Sequence, residues 1–190
     1  MFNFLELMKK NSDAVAENKR WVDLSVKFES YEEYFLLTIQ GLGRFSMYLD
    51  EIDNNIQEEF LNGKDGSAEF SSKLQDAITL SHLWVLGAYE ALRTLCEKAE
   101  FAEKDGKISN NIFCEIQKKK HLFEKIRIPL AKMKSWRDKT EYFPIAYPGM
   151  DVLGGIGWRI GKNEFVSRKA LSDSFLALEK IDFSVGSEVK

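Results

Sequence analysis

A mainly α fold is predicted by this sequence: a bundle of three long helices plus a C-terminal helix, with a small β-hairpin or three-stranded sheet. Three apolar stripes between residues 30 and 139 recur at spacings of three and four, the helical period. Their ends carry capping and turn residues: Ser30 with Glu33, Ser109, Asn62-Gly63, Asp65-Gly66 and Asp105-Gly106. Period-two alternation is confined to short stretches flanking the stripes. Helix is therefore expected over more than half of the chain. With 190 residues, 44% hydrophobic and 30% charged, the chain can bury a sizeable core as one domain. That domain divides into an N-terminal arm and candidate strand (1–29), a helical bundle (30–139), a loop and β-hairpin (140–168) and a C-terminal helix (169–181).

In the arm, Val22, Leu24, Val26 and Phe28 alternate with Asp23, Ser25 and Lys27, which reads as a strand. The first helix starts at Ser30, whose hydroxyl and the Glu33 carboxylate form a capping box. Phe35, Ile39, Leu42, Phe45, Leu49, Ile52, Ile56 and Phe60 carry its stripe, and Gly41 and Gly43 within it favour close packing or a kink. The second helix runs from about Ser71 to Glu103. It is apolar on most sides, which places it in the middle of the bundle. The third begins near Ser109 and keeps its phase across Pro129, so it reads as one kinked helix. Tyr147-Pro148-Gly149 suits a type II turn. Ile156, Trp158 and Ile160, the Gly161-Lys162-Asn163 turn and Glu164–Arg168 read as a hairpin. Pairing with Val22–Phe28 would complete a three-stranded sheet, since a lone hairpin is marginal in water. A last helix follows Ser167 on Leu171, Phe175, Leu178 and Ile181.

Several function classes are disfavoured. A net charge of −3 gives the whole protein no strong pull toward nucleic acid or membrane, so any such pull is local. Two cysteines, Cys96 and Cys114, are too few for a secreted disulfide scaffold. The opening Met1–Lys10 stretch puts its lysines after a short apolar run, not before a long one as a signal peptide requires, and Leu80–Tyr89 is too short to cross a bilayer. A cytoplasmic protein without membrane contact is expected. No metal is expected: Cys114 and His121 stand about 10 Å apart along a helix axis, and no paired-ligand spacing is present. No Gly-x-Ser-x-Gly elbow occurs, and Gly154-Gly155-Ile156-Gly157 leads into a strand rather than a phosphate-binding helix. No catalytic residue and no cofactor is assigned.

Two constellations remain. Glu90 and Arg93, three apart on the second helix, are expected to form a structural ion pair. Charge is also segregated. Residues 117–139 hold nine basic side chains against two acidic, a net of +7, whereas residues 29–65 hold nine acids against two bases, a net of −7. Lys118, Lys125, Lys132 and Lys139 repeat every seven residues, and His121 joins them if the helix continues; Arg127 stands beside the row. These six are the candidate binding residues for an anion or partner. Trp136, Tyr142, Phe143, Tyr147 and Trp158 follow, and such rings stack on bases or close a core. The competing expectation is a solvated face whose lysines meet the acidic first helix.

A helical bundle with a basic segment is similar in outline to small helical RNases of bacterial defence systems. Those resemble one another through an Arg followed a few residues later by a His on one helix. Here the order is reversed, His121 then Arg127, on different faces. The first expectation is therefore a non-enzymatic interaction or regulatory protein, whose partner is another protein or a second copy of itself. A nucleic-acid-binding or RNase-like component, acting on RNA or another polyanion through the third helix, is the alternative.

Overall fold

Three serines set the helix boundaries that matter most. Ser67, Ser109 and Ser167 each hold extended backbone and accept a hydrogen bond from the amide three residues on: Phe70 at 3.0 Å, Ile112 at 3.4 Å and Ala170 at 3.1 Å. The computed structural model describes residues 8, 12–29, 31–136, 141–151 and 154–181. Its elements are α1 (Ser12–Glu29), α2 (Phe35–Leu61), α3 (Ala68–Lys104), α4 (Asn110–Lys132), β1 (Tyr142–Asp151), β2 (Gly155–Gly161), β3 (Phe165–Ser167), α5 (Arg168–Leu176) and a 3-10 turn (Ala177–Lys180). Helix takes up 73% of the described structure, with a small three-stranded antiparallel sheet in the order β1-β2-β3.

Short turns make the four long helices antiparallel neighbours in chain order. α1 packs along α2, α2 along α3 and α3 along α4; β2 and α5 close one side of this layer. α5 touches all four long helices. Its Phe175 lies 5.4 Å from the Trp21 ring of α1 and 6.3 Å from the Phe123 ring of α4. The core gathers Trp21, Phe28, Trp84, Phe123, Trp158 and Phe175. Gly43 is where α1 and α2 meet most closely: a Cβ there would overlap the Trp21 side chain. Trp84 donates its ring N–H to the Leu42 carbonyl at 2.9 Å, fixing α3 on α2. The 3-10 turn is tied back to α1 by the Arg20–Glu179 pair at 2.8 Å and by Lys27, which donates to the carbonyls of Glu179 and Ile181.

Several expectations change. Val22–Phe28 is not a strand but the second half of α1. Its buried residues Ala14, Trp21, Leu24, Ser25 and Phe28 follow the helical period, while Val26 points to solvent. The third strand of the sheet is instead β1, where Tyr147-Pro148-Gly149 lies in extended backbone opposite Gly157–Arg159. β1 is an edge strand, and a proline that cannot donate is tolerated there. The Ser30 cap lies outside the described residues, and α2 begins at Phe35 behind Tyr34, which makes no side-chain cap. α4 runs through Pro129 but stops at Lys132, because Met133 takes a left-handed conformation at φ 49°. The lysine row therefore does not continue along a helix, and Lys139 lies outside the described residues. The β2–β3 hairpin and the helix after Ser167 form where the sequence places them, with α5 starting at Arg168.

Candidate functional site

The basic residues singled out on α4 are mostly engaged within the chain. Lys118 is exposed and bonded to Glu115 at 2.5 Å, which raises its pKa above the ordinary lysine range. His121 Nε2 stands 3.8 Å from Glu124, and Lys120 reaches the same carboxylate at 3.2 Å. Lys125 bonds Glu164 at 2.9 Å, with its ammonium 5.2 Å from the Trp136 ring centre and 5.6 Å from that of Tyr142. Burial opposes the charge on Lys125, but Glu164 overcomes it and lifts its pKa. Arg127 lies 5.0 Å over the Tyr89 ring and 3.9 Å from Glu90. Lys132 is exposed at the end of α4. The carboxylates that meet these cations come from α4 itself, from α3 and from the β2–β3 turn. The expected pairing with the acidic first long helix is replaced by these partners because α3 stands between α2 and α4.

The aromatic residues go the same way. Trp158 and Trp136 are buried, and Trp136 meets Tyr142 edge-on at 5.3 Å. Glu90 and Arg93 are bonded at 2.7 Å, and Arg93 continues to Glu97 at 2.6 Å. All three are exposed, so this ladder runs on the outer surface of α3 and contributes only a few tenths of a kcal/mol per pair, about 0.3–0.5.

A buried polar network escapes a reading of local sequence. Arg168, with no solvent exposure, sends Nη2 to Asp50 at 2.6 Å and to Asp53 at 3.0 Å, and Nη1 to the Ser46 hydroxyl at 3.2 Å. Ser46 and Ser172 hydroxyls bond each other at 2.9 Å, and the Ile156 amide donates to Asp53 at 3.2 Å. Burial pushes the Asp53 carboxyl above its ordinary range, against the pull of Arg168. Two carboxylates share one guanidinium, and Asp50, less buried, takes the shorter bond. Gly155, at φ 66°, leaves room for Asp53; a Cβ there would overlap its carboxylate. The network fastens β2 and α5 onto the inner side of α2. Asp50 and Asp53 read locally as ordinary acids of the first helix, and the long-range partner, Arg168, carries no local signal.

The outer side of the same helices differs. Leu37, Gly41, Phe45, Tyr48 and Ile52 recur at four, four, three and four along α2, and Leu80, Leu83 and Gly87 at three and four along α3. The pairs Glu32–Lys98 and Glu59–Lys73, each at 2.8–2.9 Å, and the Trp84–Leu42 bond fix the antiparallel register that sets these stripes side by side. Leu37 is 74% exposed and Leu83 55% exposed; Gly41 and Gly87 are exposed and notch the seam. Toward the C-terminal end of α2 the seam opens into a cleft of about 630 Å³. Its apolar lining is Ile52, Ile56, Ala77 and Leu80, and Glu58, Glu59 and Asp76 contribute acids. Lys73, also in the cleft, is already bonded to Glu59 and Glu69.

Among the described residues, no three His, Cys, Asp or Glu side chains cluster as metal ligands, and no helix is long and apolar enough to cross a membrane. Comparison with protein-family models, with curated proteins and with solved structures finds no match to this chain.

Proposed function

We propose that this is a non-enzymatic interaction or regulatory protein that docks another protein on the outer seam of α2 and α3. The observation that carries the reading is the apolar stripe pair on that seam, exposed Leu37 and half-buried Phe45 beside half-buried Leu80 and exposed Leu83, on the side of the helix layer that, among the described residues, β2 and α5 leave uncovered. A contiguous apolar patch costs solubility unless a partner covers it. Shallow grooves between two helices accept an apolar partner face, and exposed glycines let its backbone approach closely. The polar constellations favour the same reading. The Arg168 network is buried away from the surface, and most of the α4 cations already hold carboxylates, which weakens the RNA-binding alternative. A cytoplasmic setting fits the two unpaired thiols, Cys96 and Cys114.

A photo-crosslinking side chain placed at Leu83, and separately at Lys119 on α4, tests it in cells. Protein adducts from position 83 that vanish with Leu37→Glu, at unchanged melting temperature, are expected. RNA adducts from position 119 with none from position 83 would overturn the reading in favour of the polyanion alternative.

A further inference from the structure

α3 separates the acidic α2 from the basic α4, and the cations of α4 find their carboxylates elsewhere. What remains unmatched is local on each side. At the end of α4, the left-handed Met133 breaks the helix and presents its side chain outward, 76% exposed, between exposed Lys132 and Lys134. On the seam, the cleft offers an apolar floor of Ile52, Ile56, Ala77 and Leu80, and its charged lining is Glu58, Glu59 and Asp76 against Lys64 and Lys73; Lys73 is held by Glu59 and Glu69, which leaves exposed Glu58 and Asp76 against Lys64 at the rim. We propose that the Lys132–Met133–Lys134 turn of one copy seats in the α2–α3 cleft of a second copy, so that the chain self-associates. This rests on the reading of the seam as a docking surface and names its occupant.

The fit is chemical at each position. A methionine side chain is unbranched and adaptable, and it fills irregular apolar gaps well. The flanking ammonium groups arrive where the rim carboxylates of Glu58 and Asp76 stand. Met133 does not line the cleft of its own chain. The antiparallel run of α3 and α4, marked by Trp84 against Phe123, brings the end of α4 beside the N-terminal half of α3, the half that forms the cleft. Knob and socket thus lie toward one end of the bundle, where a two-fold axis allows two reciprocal contacts. A contact of this size predicts a weak, concentration-dependent and salt-sensitive assembly.

Light scattering on the full chain across a concentration series, at low and high salt, reads the assembly directly. Two variants separate the causes: Lys132→Glu/Lys134→Glu reverses the knob, and Glu58→Lys/Asp76→Lys reverses the socket. All four positions are exposed, so both variants should keep the wild-type melting temperature. Each alone should associate at least about tenfold more weakly than wild type, and an equimolar mixture should regain association because both contacts are then complementary. A wild-type chain that stays monomeric at every concentration, or variants that associate as wild type does, would overturn the proposal. A monomer whose position 83 still crosslinks to a different protein leaves the seam as a docking site and removes only this occupant. A monomer with no crosslink at position 83 removes both.

Discussion

Arg168 shows what a single buried charge demands. A guanidinium with no solvent exposure is stable only where anions and carbonyls replace its water, and here Asp50, Asp53 and Ser46 do so at both Nη groups, while the buried Nε has no partner among the described residues. Removing it strands two carboxylates, so Arg168→Ala should cost roughly 3–5 kcal/mol in chemical denaturation. Asp53→Asn keeps the acceptor for Ile156 and should cost far less than Asp53→Ala. Equal losses for the two Asp53 variants would mean that the carboxylate charge itself is required. Glu17 is a gentler case on the same side of the molecule. Burial first, and then the charge of Asp50, raise its pKa, while Lys169 and a bond from Trp21 lower it and Asp173 adds to the rise. A carboxyl whose pKa is higher folded than unfolded holds its proton more tightly in the folded protein. Stability from this group is therefore present at acid pH and is lost as pH rises through the raised value. Glu17→Gln should raise the melting temperature at neutral pH, with the gain vanishing below the ordinary carboxylate range; a gain that is flat with pH would contradict this. Neither site is readable in the sequence. Asp50, Asp53 and Arg168 each look like ordinary surface charges, and only the fold brings residues 118 positions apart together.

Elements were legible where one signal dominated and illegible where two periods competed. The stripes of α2, α3 and α4 are long, and their stops at Asn62-Gly63 and Asp105-Gly106 fall where the helices end, with Gly63 and Gly106 at positive φ. In α1, the apolar set Val22, Leu24, Val26 and Phe28 also satisfies a period of two. Trp21, one turn before Leu24 and Ser25, and Ala14, two turns before Trp21, carry the helical signal, and burial of Trp21 in the Gly43 notch decides it. β1 hides behind Pro144 and Pro148, residues that argue against a strand unless it lies at an edge. The end of α4 could not be read because the lysine heptad favours continuation, whereas the backbone turns left-handed at Met133. A non-glycine residue there is strained, so Met133→Gly should stabilise the fold by about 1 kcal/mol. A thermal melt without a rise would indicate that the Met133 side chain makes contacts that offset the strain. Lys125 and Lys118, equivalent in the heptad, should diverge. Lys125→Ala removes the Glu164 bond and two ring contacts and should lower stability by roughly 1–2 kcal/mol, whereas Lys118→Ala should leave the melting temperature unchanged.

At the scale of the whole molecule, four antiparallel helices pack against one short helix. α5 has nine residues, too few to be stable alone, and its helicity comes from the apolar face it presents to the four long helices. Phe175 is the centre of that contact, with rings from α1 and α4, the two helices farthest apart in the layer, on either side. Deleting it opens a cavity that no neighbour can fill without moving either α1 or α4. Phe175→Ala should therefore cost roughly 3–5 kcal/mol, a large share of the total for a domain of this size, about 5–15 kcal/mol. Leu83→Ala on the outer seam also truncates a large apolar side chain, but at an exposed site, and should cost less than about 0.5 kcal/mol. Urea titrations followed by tryptophan fluorescence compare the two directly. Trp21 on α1, Trp84 on α3 and Trp158 on β2 report from separate elements of one core. If α5 is the plug that the geometry indicates, Phe175→Ala moves the midpoint of a single transition with its slope unchanged. A split transition, with one part of the signal lost early, would instead mean that the α1–α2 and α3–α4 pairs hold together without α5.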